Sequence, residues 1–237
     1  MSAPVRLRNA RVGLALHRLG APGSAPATGE GRSTAGRAGP AAPPLLLLHA
    51  LGGRARDWAA LAPDRTWPGA VWALDFAGHG ASDRLTGGFY SPELFASDAD
   101  AALARIGAPL VVVGAGIGAY AGLLLAGARH DEVIALGLLP GAGLDGGGTR
   151  PSWNELQRAL SPVSSAAGRV TRPTEGFDPR AAAADDAARP PAYARSYLER
   201  VERTVLACEQ LPRWWPRDVR AERVEGSLEP LLAALRP

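Results

Sequence analysis

The 237-residue chain carries 26 basic and 23 acidic side chains for a net charge of +3, and every basic residue is an arginine interleaved with acidic ones. That distribution describes a solvated surface and argues against a nucleic-acid partner, whose binding needs basic residues concentrated on one face. The single cysteine, Cys208, excludes an internal disulfide and a cysteine metal site; no apolar run is long enough to cross a bilayer, and the N-terminus lacks the layout of a signal peptide. The expectation is one domain over 1–237, cytoplasmic, away from membranes, and without a cofactor.

Residues 5–19 alternate apolar and polar side chains, as an edge hairpin would, with the turn near Asn9-Ala10 and His17 at the surface. Residues 21–44 are Gly, Pro, Ala, Ser and Thr with little to bury, and read as a flexible loop. Residues 45–48 are four leucines, a short buried strand that runs into His49-Ala50-Leu51-Gly52-Gly53 and then a helix with Asp57 and Trp58. A third strand over 70–75 ends in Asp75 and leads to Phe76-Ala77-Gly78-His79-Gly80-Ala81-Ser82-Asp83.

Helical spacing follows over 94–106, and then comes the stretch that organises the chain, Val111-Val112-Val113-Gly114-Ala115-Gly116-Ile117-Gly118-Ala119-Tyr120. It reads as buried strand, sharp turn and covered helix, the glycines allowing close approach and the first helical N–H groups left free above the turn. Another strand covers 133–139. Strands alternating with helices imply a mainly parallel sheet. Past Pro140 the spacing predicts a loop over 141–150, a short helix over 152–160, irregular chain to 189, and an amphipathic helix over 193–211 with Tyr197, Leu198, Val201, Val205 and Leu206 inward. Trp214 and Trp215 pack against that region, and the tail holds a strand over 221–224 and a helix over 228–235.

The glycine turn fits two signatures. Gly114, Gly116 and Ala119 satisfy the dinucleotide fingerprint G-x-G-x-x-G/A. That reading needs an acidic residue at the end of the next strand, which closes instead in Leu138-Leu139-Pro140, with Asp131 and Glu132 too early and Asp145 too late.

The second signature is the G-x-S-x-G elbow of the α/β-hydrolases, matched by Gly114 and Gly118 with Gly116 at the serine position. Two further motifs resemble that family in the right order. His49 to Gly53, followed by Trp58, resembles its H-G-x-G-G turn with Ala50 in place of the first glycine; Asp75, Gly78, His79, Gly80 and Ser82 resemble its D-x-x-G-H-G-x-S turn. The resemblance implies a three-layer α/β/α fold, with a mainly parallel sheet of about six or seven strands, a reduced helical cap over 141–213 and a shortened C-terminal part. It also implies a structural role for the Asp75 to Ser82 motif, and oxyanion-hole N–H groups on Leu51 and Ile117 beside Gly116.

The reacting groups are missing. Gly116 has no side chain, and none of His17, His49, His79 and His130 follows the last strand, where Ser227 of Gly226-Ser227-Leu228-Glu229-Pro230 holds the place of the base. No run between Ser161 and Val219 matches the strand that carries the family's acid. The elbow is similar to that of the N-myc downstream-regulated proteins, held to be non-catalytic. The expected function is a non-catalytic binding or interaction module, taking a small carbonyl or carboxylate ligand at the elbow or a protein partner. The alternatives are a hydrolase or lyase of a small ester or carbonyl substrate using displaced groups, with His49 as acid or base at the pocket rim and Ser82, Ser91 or Ser152 as nucleophile, and a dinucleotide binder.

Overall fold

The structure is a computed structural model that describes residues 3–20, 42–61, 63–147 and 176–236. The expected helix over 152–160 and nearly all of the loop over 21–44 lie outside them. β1 (Val5–Asn9) and β2 (Val12–Leu19) form the hairpin, paired from Val5↔Leu16 to Asn9↔Val12, with Ala10 at φ +51° in the turn. β3 (Leu45–Leu48), β4 (Val71–Asp75), β5 (Leu110–Ala115) and β6 (Val133–Leu139) follow, with β7 (Thr204–Leu206) and β8 (Glu222–Arg223) near the C-terminus. All eight make one sheet in the order β1-β2-β4-β3-β5-β6-β7-β8. β2 runs antiparallel to β1 and β4, and the other pairs are parallel.

Both faces of the sheet are covered, which is why its central strands are apolar throughout. Side chains alternate between faces: Leu46, Leu48 and Val112 join the core under α2 (Pro92–Ile106), α3 (Ile117–Ala128) and α4 (Pro191–Leu198), whereas Leu45, Leu47, Val111 and Val113 join the core under α1 (Ala55–Ala59) and α5 (Leu228–Leu235). Ser91 caps α2, its hydroxyl accepting the Leu94 N–H at 3.2 Å, with Pro92 in the first turn. Three layers result, and no helix among the described residues is long and apolar enough to cross a membrane.

The region 193–211 departs from the sequence expectation. A helix occupies only Pro191–Leu198, and Thr204–Leu206 is a sheet strand parallel to β6, paired from Leu136↔Thr204 to Leu138↔Leu206. Apolar side chains at 197, 198, 201 and 205 satisfy helical spacing, but the open edge of β6 supplies backbone partners and a covered site for both Val205 and Leu206. The segment 141–213 is therefore not all cap. The sheet has eight strands instead of six or seven because β7, at three residues, is too short to read from pattern, whereas β8 lies within the strand expected over 221–224. β7 lies between Ser161 and Val219, but the Ala207-Cys208-Glu209-Gln210 that follows it does not match the family's acid-bearing turn.

Candidate functional site

The site forms at the C-terminal ends of β3, β5 and β6. Gly116 joins β5 to α3 at φ +57°, ψ −124°, a conformation that L side chains hold only under strain. Its neighbours explain the glycine pattern. A Cβ at Gly118 would press on the carbonyls of Leu48 and His49, and one at Gly114 on the backbone of Gly118, so both glycines serve the close packing of α3 against β3 and β5.

The N–H groups of Leu51 and Ile117 converge on one acceptor, and that acceptor belongs to the chain itself. Leu51 donates to the Ala142 carbonyl at 3.1 Å and Ile117 to the same oxygen at 2.9 Å. Gly116 N–H donates to Leu139 O at 3.1 Å, tying the elbow to the end of β6. A Cβ at Gly116 would overlap the Ala142 oxygen and lie 2.8 Å from the Gly141 carbonyl carbon and 2.9 Å from the Ala50 Cβ. The loop after β6 thus occupies the space a nucleophilic side chain would need.

That loop is held from behind. Leu144 N–H donates to Gly141 O at 3.3 Å, the Trp214 indole N–H to Leu144 O at 2.7 Å, and Arg213 N–H to Asp145 Oδ1 at 2.7 Å. Gly143, at φ +79°, packs so tightly that a Cβ would come within 2.9 Å of the Ile117 Cβ. Trp214 is fully buried and meets Tyr120 of α3 edge-on at 5.1 Å, so its packing serves the loop.

His49 is not at a rim. It is buried, Phe76 N–H donates to its Nε2 at 3.1 Å, and the proton this leaves on Nδ1 is donated to Ala50 O at 2.8 Å. Burial pushes its pKa down to about 4, so both nitrogens of a neutral ring are used up in structure. His79 is alike: Gly52 N–H donates to Nε2 at 3.2 Å, Nδ1–H donates to Ala77 O at 3.0 Å, and burial together with the His49 ring lowers its pKa to about 3.

Asp75 ties these turns together. Ala55 N–H donates to Oδ1 at 2.6 Å, and Ala81 N–H at 2.8 Å and the His17 ring at 3.0 Å reach Oδ2. Burial would raise its pKa, but the His17 contact and the two N–H groups outweigh it and hold the carboxyl below its ordinary value. His17, expected at the surface, is drawn inward by this contact because β2 lies beside β4 with Ala15 opposite Asp75. Ser82 donates its hydroxyl proton to the Asp75 carbonyl and accepts Ala15 N–H at 2.9 Å. Gly78 (φ +75°) and Gly80 (φ +54°) complete the turn, where a Cβ at 80 would run into the Asp75 carboxylate.

Among the described residues the displaced-group alternative finds no pair to work with. Ser82 and Ser91 are engaged in the turn and the α2 cap, Ser152 lies outside the described residues, and among the described residues no serine hydroxyl is bonded to an imidazole. Ser227 opens α5 as its N-cap. Sequence reasoning missed Asp98, a fully buried carboxyl of α2 that accepts the Asn9 amide at 2.8 Å and Ala77 N–H at 2.9 Å; burial raises its pKa to about 6. Beyond the ends of β6 and β7 lies a cavity of about 540 Å³, lined by Gly141, Asp145, Cys208, Glu209, Arg213 and Gly226 among others.

The alpha/beta hydrolase family profile matches residues 45–234, which span the elbow, both histidine turns and α5. The chain belongs to the alpha/beta hydrolase family. No curated protein sequence matches it. Among solved structures it is similar to a hypothetical protein from Pseudomonas aeruginosa PAO1, with TM-score 0.60 and 23% identity over 99% of this chain and 95% of that one. It is also similar to a hydrolase from the same species (TM-score 0.55, 18% identity, 86% and 78% covered) and to an N-acyl homoserine lactone degrading enzyme (TM-score 0.53, 21% identity, 85% and 80% covered). By contrast it spans only 41% of the length of the protein lip1 of Acinetobacter baumannii AYE. At these identities the likeness is one of fold.

Proposed function

We propose that the chain is a non-catalytic member of the alpha/beta hydrolase family that works as a binding or interaction module. The observation that supports this reading is the Ala142 carbonyl, which takes both N–H groups of the would-be oxyanion hole. In a working site those donors stabilise charge developing on the substrate oxygen. Here a neutral amide oxygen of the chain saturates them, and Gly116 offers nothing to attack from. With nucleophile and base both absent and the residual donors occupied, even the weak catalysis that an oxyanion hole alone provides is removed.

A small carbonyl or carboxylate ligand at the elbow would have to displace Ala142, so a protein partner binding elsewhere on the surface fits the geometry better. The dinucleotide reading gains nothing from the glycines, which serve helix packing and the elbow. The test is hydrolysis of p-nitrophenyl acetate, butyrate and octanoate by the purified chain, together with labelling by a fluorophosphonate probe. Neither turnover nor labelling is expected. Turnover abolished by changes at Gly116 or His49 would overturn the reading.

A further inference from the structure

Arg189 sits between the 3-10 helix Pro179–Asp185 and α4, with its side chain folded inward to 6% exposure. The guanidinium carbon lies 4.9 Å over the Tyr120 ring, and Gly146 packs against the group, where a Cβ would come within 3.0 Å of Cζ and Nε. Nε, Nη1 and Nη2 are all buried without a hydrogen-bond partner, and so is the Tyr120 hydroxyl. Asp185, Asp145 and Glu93 act on the charge through space, none of them in hydrogen-bond contact with it.

Elsewhere among the described residues buried carboxylates are met. Asp75, Asp98 and Asp178 are each bonded to two or more donors. A desolvated guanidinium with no acceptor strongly destabilises a fold, and the face of a tyrosine compensates only part of the lost hydration. An orphan cation over the ring of an orphan hydroxyl marks the place of an acceptor that none of the described residues supplies.

We propose that Arg189 and Tyr120 form a binding site for a small monocarboxylate, which lies in the plane of the guanidinium and accepts the Tyr120 O–H on one oxygen. The planar fork matches the two oxygens of a carboxylate. One negative charge neutralises one guanidinium, whereas a phosphate dianion would add excess negative charge to a region already near three carboxylates. The site uses neither the Leu51 nor the Ile117 N–H. Turnover at the elbow would therefore leave it standing, and its own failure would leave the elbow reading untouched.

The full-length chain is titrated with propanoate, benzoate and inorganic phosphate at ionic strength held constant with chloride, followed by thermal melting and calorimetry. The carboxylates should raise the melting temperature saturably while phosphate does not. Arg189→Met should lose the response and, relieved of its unpaired charge, melt above the ligand-free parent. Arg189→Lys, which keeps the charge but not the fork, should bind about tenfold more weakly, and Tyr120→Phe roughly threefold to tenfold more weakly. No saturable response to either carboxylate, an equal response to phosphate, or a parental response in both Arg189 variants would overturn the proposal.

Discussion

Gly116→Ala measures directly how tightly the loop after β6 sits on the elbow. Two costs combine. The first is conformational, because φ +57°, ψ −124° is territory that alanine holds at about 1–3 kcal/mol. The second is steric: the added Cβ overlaps the Ala142 oxygen and sits 2.8 Å from the Gly141 carbonyl carbon, and overpacking of this kind costs about 1–3 kcal/mol. Gly107→Ala isolates the first cost. Gly107 closes α2 at φ +93°, ψ 157°, also glycine territory, but nothing lies within 4 Å of its would-be Cβ. The two variants should therefore differ by about 2 kcal/mol, which for a chain of this size is roughly 4–8 °C in melting temperature. Urea unfolding and calorimetry of both variants against the parent provide the assay. If Gly116→Ala is no more destabilised than Gly107→Ala, the carbonyl does not fill the elbow and the reasoning fails.

Amide exchange offers a second check: the Leu51 and Ile117 N–H groups should be protected in the parent and exchange faster in Trp214→Phe, which removes the indole bond to Leu144 O, whereas equal exchange in both would separate Trp214 from the loop. Acid stability follows from the buried rings. His49 and His79 stay neutral in the fold down to about pH 4 and about pH 3, against 6.5 for the ordinary group, so the unfolded chain takes up protons first and stability falls as pH drops from 6.5 toward 4. Asp98, raised to about 6, opposes this below pH 6, but one carboxyl works against two imidazoles. Urea midpoints should decline across that window, and a midpoint that rises between pH 6.5 and 4.5 would refute the account.

The layers were legible because burial on both faces leaves an unambiguous mark: four leucines at 45–48, the valines of β5 and the run 133–139 can only be covered strands, and residues 228–235 carry their helix in a leucine spacing. β7 was illegible for the opposite reason. Three residues within apolar positions of helical spacing say nothing about which period applies, and only the open edge of β6 decides. The motif residues around Asp75 were visible as a pattern, but the inward pull on His17 was not, since it depends on which strand β2 lies beside. The occupant of the elbow was hidden most completely. A carbonyl oxygen has no residue type; the sole trace of the loop is the density of glycines at 141, 143, 146, 147 and 148.

The missing side chain and the seated carbonyl depend on each other. A serine at 116 would put its Cβ where the Ala142 oxygen lies, so the loop can seat only on glycine; with the loop seated, any larger residue is pushed out. Restoring chemistry therefore takes more than restoring residues. Gly116→Ser combined with Ser227→His puts a hydroxyl and an imidazole back at the positions that resemble the family's nucleophile and base, yet the new Cβ and the Ala142 oxygen compete for one place, so the serine reaches its working position only in molecules whose loop has left the elbow. Losing one such donor alone lowers the rate about 10²–10³-fold in a working enzyme, and both are engaged whenever the loop is seated. The double variant should show no p-nitrophenyl acetate hydrolysis above buffer. Measurable turnover from it would mean that the loop leaves the elbow readily, and that the barrier to catalysis is the absent side chains alone.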